Sequence, residues 1–203
     1  MFADGQIGAP GIMGLTIAIS LLGLYRMPAI IHKFLFRPYL FLRARQYDTM
    51  IMSGFIHADL GHLLFNMFTF YFFAFPMERY IGTVPFLALY FVGLVASHSC
   101  TWYKHRNNPE YASLGASGAV SAVLFAYVVY FPTTTLMIMP IPVPIPAALF
   151  AVGYVAYSYW ASIHSRGRIN HDAHLCGALS GIAFVAVTDP GAFTRLMAIF
   201  GQG

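Results

Sequence analysis

Six apolar segments follow one another along this chain, and they constrain its fold more than any other feature. They cover residues 8–25, 60–77, 83–103, 115–131, 145–163 and 173–188. About 20 apolar residues in a helix cross the hydrocarbon core of a bilayer. Charged residues make up only 9% of the chain, against roughly 25% in soluble domains. The pattern predicts an all-α polytopic membrane protein, a bundle of six transmembrane helices in a single domain that covers residues 1–203.

The connections between these segments carry their own signals. Residues 26–61 mix basic and aromatic side chains, which is typical of short amphipathic pieces, so we expect this long loop to be partly inserted into the membrane. Five prolines in residues 132–146 predict an extended, helix-poor connection. Residues 189–203 are expected to form a surface tail. The net charge of +4 comes from the loops and indicates contact with lipid headgroups rather than with nucleic acid.

The two cysteines, Cys100 and Cys176, both lie in apolar runs. Free cysteines behave as small hydrophobic residues in such surroundings. We therefore expect both to be packing residues and expect no disulfide framework.

The tetrapeptide Gly115-Ala116-Ser117-Gly118 opens the fourth segment. A serine at the start of a helix lies near free backbone N–H groups, and the helix dipole there favours negative charge. Acyl transfer by serine needs this combination of an exposed nucleophile and donors for an oxyanion. Taken alone, however, the tetrapeptide is more typical of close helix packing in membranes, because small residues are common at helix contacts.

The direction of the segments places several polar residues at one depth. The second, fourth and sixth segments run the same way across the membrane, and each has polar residues at its N-terminal end: His62 and Asn66, Ser117, and His174. All four should therefore lie near one face of the bilayer. Polar residues inside membrane segments are costly and tend to mark functional sites.

Each of these polar residues has a functional and a structural interpretation. His62 and Asn66 are one helical turn apart and could donate hydrogen bonds to an oxyanion, or they could join two helices. His174 could be the general base for Ser117, or a structural histidine at a helix interface. Asp172 is expected to cap the sixth helix rather than to complete a triad.

Small residues on the fourth and sixth segments support the interpretation of His174 as the general base for Ser117. Gly177 and Gly181 form a small-xxx-small face on the sixth segment, and Ala, Gly and Ser crowd the start of the fourth. Such faces allow two helices to approach closely. We therefore expect the fourth helix at the centre of the bundle, packed against the sixth.

The ordered set of these motifs resembles the rhomboid family of intramembrane serine proteases over residues 8–190. The matching stretches are His57-Ala58-Asp59-Leu60-Gly61-His62-Leu63-Leu64-Phe65-Asn66, Glu78 followed by Gly82, the serine tetrapeptide, and Ala173-His174-Leu175-Cys176-Gly177 with Gly181. The resemblance implies that Ser117 is the nucleophile and His174 the base. It implies an oxyanion hole formed by His62, Asn66 and the Ser117 N–H, with Gly115, Gly118, Gly177 and Gly181 supporting the site.

The resemblance also implies the substrates and the membrane. The family cleaves transmembrane helices near their ends, so the expected substrates are single-span membrane proteins, and we expect a multi-pass protein of the bacterial inner membrane. Two departures stand out. The Trp-Arg pair of many bacterial members corresponds here to Asp48-Thr49, and a tyrosine one turn after the serine corresponds to Ser121. Something other than that tyrosine must orient His174.

Two alternatives stay open beside the protease. A rhomboid-like pseudoprotease would bind transmembrane helices without cleaving them; such relatives lack the serine or the histidine, and this chain keeps both. The pairs His57/His62 and His171/His174 invite a metal site, but the ligand set is small. We expect no metal and no cofactor, with His171 exposed in a loop.

Basic residues favour one face of the bilayer in the six-span arrangement. Nine lie on the side of the serine, namely Arg26, Lys33, Arg37, Arg43, Arg45, Lys104, Arg106, Arg166 and Arg168, and two lie on the other, Arg79 and Arg195. The positive-inside rule would place the site towards the cytoplasm, whereas the family's usual orientation faces it outward. We favour the family's orientation, because basic residues in an inserted loop can bind headgroups without setting the topology.

Overall fold

A computed structural model describes residues 5–138, 141–164 and 169–200; Arg166 and Arg168 lie outside these ranges. The described residues are mostly helical. The helices are α1 (Gly8–Tyr25), α2 (Pro28–Phe34), α3 (Pro38–Arg43), α4 (Thr49–Met52) with a 3₁₀ turn at Ser53–Phe55, α5 (Leu60–Ile81), α6 (Thr83–His105), α7 (Ser117–Tyr130), α8 (Ala147–His164), α9 (His171–Thr188) and α10 (Gly191–Phe200). The strands are β1 (Thr135–Ile138) and β2 (Ile141–Pro146).

The helices differ in their capacity to cross a membrane. Among the described residues, α1, α5 and α6 are long and apolar enough, and α9 with α10, bent by 106°, would make a fourth span. Helix α7 has 14 residues, which corresponds to about 21 Å of helix and is shorter than the hydrocarbon core. Three or four membrane-spanning helices are thus supported, and the count of six stays a prediction.

Helix α7 lies at the centre of the structure. Most of its residues are buried, and it packs between α5, α6 and α9. Small residues make this possible: a Cβ at Gly93 of α6 would overlap that of Ala122, and a Cβ at Gly181 of α9 would overlap the Ala122 carbonyl. The central position expected for the fourth segment agrees with this packing.

The long loop after α1 folds into short helices. Pro28 and Pro38 each stand in the first turn of one of them, where proline fits because its missing N–H is not needed. Phe36, between α2 and α3, is fully buried. Its backbone N–H donates to the carbonyl oxygen of Ser113 at 3.0 Å, and the Ser113 N–H donates back at 2.9 Å. The loop therefore joins the segment that precedes the serine tetrapeptide, while its insertion into the membrane stays a prediction.

The proline-rich connection is confirmed as extended and helix-poor in its described residues, whereas the tail after α9 differs from the expectation. The proline-rich connection is an antiparallel hairpin in which Leu136 pairs with Ile145, so the fold is mostly helical rather than all-α. Prolines at alternate positions of β2 leave every second N–H available for pairing. The expected surface tail contains α10, which buries Ala192 against the bundle.

The expectation for the two cysteines was wrong. Cys100 of α6 and Cys176 of α9 form a disulfide, with their Cα atoms 6.4 Å apart. Apolar surroundings indicate that a cysteine is buried, but they carry no information on which residue of another helix it faces. The bond links α9 to α6 two residues after His174.

Candidate active site

The loop before α7 is shaped by Gly115. Its φ of +109° lies in the left-handed region that favours glycine, and its N–H donates to the Ser53 carbonyl at 2.8 Å. A Cβ at this position would lie 2.9 Å from Nε2 of His62, so glycine also leaves room for that ring. Ser117 follows as the first residue of α7 and is half-buried. The tetrapeptide thus places a partly accessible hydroxyl at a helix N-terminus, where backbone N–H groups are free.

A chain of hydrogen bonds ties this loop to α1. The Ala116 N–H donates to Nε2 of His57 at 3.5 Å. Since Nε2 accepts, Nδ1 carries the proton and donates to Oγ of Ser20 at 3.0 Å. The Ser20 hydroxyl donates in turn to the Phe55 carbonyl at 3.0 Å. Burial, and to a smaller extent the neighbouring His62, lower the pKa of His57 to about 3, so this ring is neutral near pH 7.

Helix α9 brings His174 to the start of α7. Asn170 caps α9, because its side-chain oxygen accepts from the Ala173 N–H at 3.1 Å. A Cβ at Gly177 would overlap the Gly118 carbonyl, so the two helices touch through backbone atoms. Because Gly118 follows Ser117 directly and Gly177 is three residues after His174, the serine and the histidine stand on facing first turns.

Ser117 and His174 do not form a hydrogen bond with each other in the described part of the chain, since no donor–acceptor pair within 3.5 Å joins them. Both side chains are half-buried rather than enclosed. Catalytic hydrogen bonds are often long before substrate binds. The structure therefore brings the two helix ends together and leaves the side chains unpaired.

A tyrosine from another helix lies beside Ser121 and near His174. The hydroxyl of Tyr154 in α8 lies 2.9 Å from Oγ of Ser121. Its ring is inclined by only 27° to the His174 ring, with centroids 6.4 Å apart. Sequence reasoning did not identify this residue as a neighbour of His174, because it looked for a tyrosine on the serine helix itself.

The two predicted oxyanion donors lie at the start of α5. Asp59 caps this helix by accepting from the His62 N–H at 2.7 Å. The His62 ring lies beside Gly115. It also packs edge-to-face on the His57 ring, with the two centroids 4.9 Å apart. Asn66 is only 7% exposed, and its amide donates to the His62 carbonyl at 3.0 Å. His62 is thus adjacent to the serine loop, and Asn66 lies one turn further along α5.

Two expectations about the start of α9 were wrong. His171 is 6% exposed and packs edge-to-face on Tyr157 at 5.5 Å, because it belongs to α9 and not to a loop. Asp172 does not cap the helix. It pairs with Lys104 at 2.8 Å and lies 3.4 Å from His105, which connects the start of α9 to the end of α6.

In the described part of the chain, the pairs His57/His62 and His171/His174 do not combine into one group of metal ligands. Among the described residues, no three His, Cys, Asp or Glu side chains are grouped closely enough to hold a metal ion. Independence of metal stays a prediction.

Comparison with known proteins identifies the family. The family model described as Rhomboid domain matches residues 44–190, and this protein belongs to the rhomboid family. That family includes serine proteases.

Among curated relatives, the chain is 30% identical over 191 residues to Presenilin-associated rhomboid-like protein A, mitochondrial, of Danio rerio, covering 90% of the chain and 48% of that protein. It is 29% identical over 182 residues to Rhomboid protein 1, mitochondrial, of Saccharomyces cerevisiae, covering 84% and 50%. It is 28% identical over 155 residues to RHOMBOID-like protein 12, mitochondrial, of Arabidopsis thaliana, covering 68% and 46%. The chain thus spans about half the length of these relatives or less.

The names of these relatives concern the predicted location of the protein in the bacterial inner membrane. The apolar helices and the family support a membrane protein. The named relatives are mitochondrial, so the expected bacterial inner membrane has no support from them.

Proposed function

We propose that this protein is an intramembrane serine endopeptidase that cleaves transmembrane segments of other membrane proteins with a Ser117–His174 dyad. The observation that carries the proposal is the backbone contact between α7 and α9 at Gly118 and Gly177. It holds a serine at a helix N-terminus opposite a histidine, and both are partly accessible. That arrangement of nucleophile and base is what acyl transfer by serine requires.

The proposed reaction follows the general path of serine proteases. Oγ of Ser117 attacks the carbonyl carbon of the scissile peptide bond while His174 takes its proton. The oxyanion of the tetrahedral intermediate accepts hydrogen bonds from the Ser117 N–H, the His62 ring and the Asn66 amide. His174 then gives its proton to the leaving amine, and water attacks the acyl-enzyme with His174 again as base.

The same residues define what the substrate must supply. The nucleophile stands at the start of a helix that is almost entirely buried, so a peptide has to reach it in an extended form. A single-span membrane protein whose helix unwinds near its end meets that need, because small or helix-weakening residues release the backbone there. We propose such proteins as substrates, within a lipid bilayer. The bacterial inner membrane remains a prediction that membrane fractionation would test.

A helix-binding protein without activity is the second candidate. Among the described residues, Ser117 and His174 make no hydrogen bond with each other, and this is the observation in its favour. The two candidates differ in one property, since only the protease has an activated serine.

Labelling of the purified protein with a fluorophosphonate separates them. A protease should form a covalent adduct at Ser117 and cleave a labelled single-span substrate, and Ser117→Ala and His174→Ala should each abolish cleavage. Ser99→Ala is a matched control, because Ser99 is an exposed helical serine whose one hydrogen bond to a described residue is donated to the Val95 carbonyl. Full cleavage by folded Ser117→Ala protein would contradict the proposal, and folded wild-type protein without any labelling or cleavage would favour the helix-binding candidate.

A further inference from the structure

A second site lies where the long loop meets the end of α6. A cavity of about 460 Å³ opens there, and it is lined by Leu42, Arg43, Trp102, Arg106 and Asn107. None of these residues belongs to the candidate active site. We propose that this cavity binds the phosphate of an anionic phospholipid headgroup, with Arg43 and Arg106 as its ligands.

The guanidinium group of Arg43 is held in place by neutral partners. Its Nη1 donates to the Tyr39 carbonyl at 3.0 Å and to the Arg106 carbonyl at 2.8 Å. The guanidinium carbon lies 4.3 Å from the centroid of the Tyr39 ring, which adds a cation–π contact. Arginine has five N–H donors, and among the described residues no hydrogen bond engages Nε or Nη2, which therefore remain available in a fixed orientation beside the cavity.

Arg106 stands next to it and rests on two aromatic rings. Its guanidinium carbon lies 4.8 Å from the Tyr103 ring and 5.4 Å from the Trp102 ring. In the described part of the chain, neither Arg43 nor Arg106 pairs with a carboxylate. Asp172 is already paired with Lys104. Two adjacent cations without an acidic partner attract an anion, and guanidinium groups match phosphate oxygens with paired N–H donors.

The surroundings of the cavity favour a lipid over a soluble phosphate. The site is at the end of α6, which is long and apolar enough to cross the membrane. Tyrosine and tryptophan beside it are the residues enriched at the level of lipid headgroups. Leu42 and Tyr103 are 52% and 68% exposed, and they offer an apolar surface along which an acyl chain can lie. A headgroup with a net negative charge suits the paired arginines better than zwitterionic phosphatidylcholine does.

Fluorescence of Trp102 tests the proposal on the whole protein. The chain has two tryptophans, and Trp160→Phe leaves Trp102 as the reporter. The protein is reconstituted in phosphatidylcholine vesicles that contain a small fraction of either brominated phosphatidylglycerol or brominated phosphatidylcholine, because bromine quenches tryptophan on contact. We expect stronger quenching by the anionic lipid. Each basic residue near an anionic lipid surface contributes about a fivefold gain in binding, so Arg43→Gln and Arg106→Gln should each weaken the preference about fivefold.

Three controls make the outcome decisive. Arg37→Gln removes the same charge from the same loop but does not line the cavity, and it should keep the preference. Arg106→Lys keeps the charge and should retain part of it. Inorganic phosphate should not reverse the quenching when compared with chloride at equal ionic strength. Equal quenching by both lipids, an equal loss in Arg37→Gln, or reversal by inorganic phosphate alone would each overturn the proposal. Melting temperatures confirm that every variant is folded.

Discussion

The contact between α7 and α9 can be tested by adding a single methyl group. In Gly177→Ala, the new Cβ would lie 2.9 Å from the carbonyl carbon of Gly118 and 3.1 Å from its Cα. Carbon atoms pack best at about 3.5–4.0 Å, so we expect α9 to move away from α7 by about 1 Å. The neighbouring atoms belong to the backbone and cannot turn aside as a side chain would.

The movement should affect turnover more than stability. Overpacking costs about 1–3 kcal/mol, and alanine recovers up to about 1 kcal/mol through its better helix propensity. The net loss of stability is therefore about 0–2 kcal/mol. A displacement of about 1 Å between reacting groups can lower a rate about 100-fold. Because His174 is on the turn of α9 that moves, kcat should fall by about that factor in protein that is still folded.

Cleavage of a fluorescent single-span substrate in proteoliposomes, paired with the melting temperature, measures both effects. Gly14→Ala is the matched control. Apart from its chain neighbours and the backbone of its own helix, no heavy atom of the described residues lies within 4 Å of the added Cβ. It should cleave at the wild-type rate and melt at the same or a slightly higher temperature. If folded Gly177→Ala protein cleaves as fast as Gly14→Ala, the close contact of α7 and α9 does not position His174.

Three further predictions concern the chemistry of the site. Asn66→Ala should lower turnover by about 100- to 1000-fold with little change in substrate affinity; wild-type turnover in folded protein would exclude the oxyanion role. Tyr154→Phe, which keeps the ring but loses the bond to Ser121, should retain more activity than Tyr154→Leu, and only the latter should shift the pH profile of kcat; identical profiles for both would argue against orientation of His174 by the ring. Treatment with a strong chelator should leave cleavage unchanged, whereas a loss restored by zinc or iron would revive the metal alternative.

The sequence predicted the helices well and their mutual contacts less well. Apolar runs located α1, α5 and α6 to within a few residues, because the length of an apolar helix is a local property. The Gly177 and Gly181 pattern also predicted the packing partner of α9. This pattern is also a local property of the sequence, because small residues one turn apart leave a flat helix face against which another helix can pack closely.

What the sequence missed depends on pairs of residues from different elements. The bond between Cys100 and Cys176 and the placement of Tyr154 beside His174 both need the relative rotation of two helices, which hydropathy does not encode. Ser20 could have been noticed, because a serine inside an apolar helix has to find a hydrogen-bond partner. Its partner His57 was noted in the family motif and in a weak metal pattern, and neither suggested a bond to α1.

The buried Glu78 explains how α1 can hold the serine loop from a distance. Its carboxylate accepts hydrogen bonds from the first N–H groups of α1, at 2.8 Å from both Gly8 and Ala9. A carboxylate at a helix N-terminus satisfies free donors and is favoured by the helix dipole. Glu78 thereby fixes α1 to the end of α5. Twelve residues later, about 18 Å along α1, Ser20 reaches His57 and through it the N–H of Ala116. Helix α1 thus contributes no proposed catalytic group, yet it anchors the backbone that carries the nucleophile.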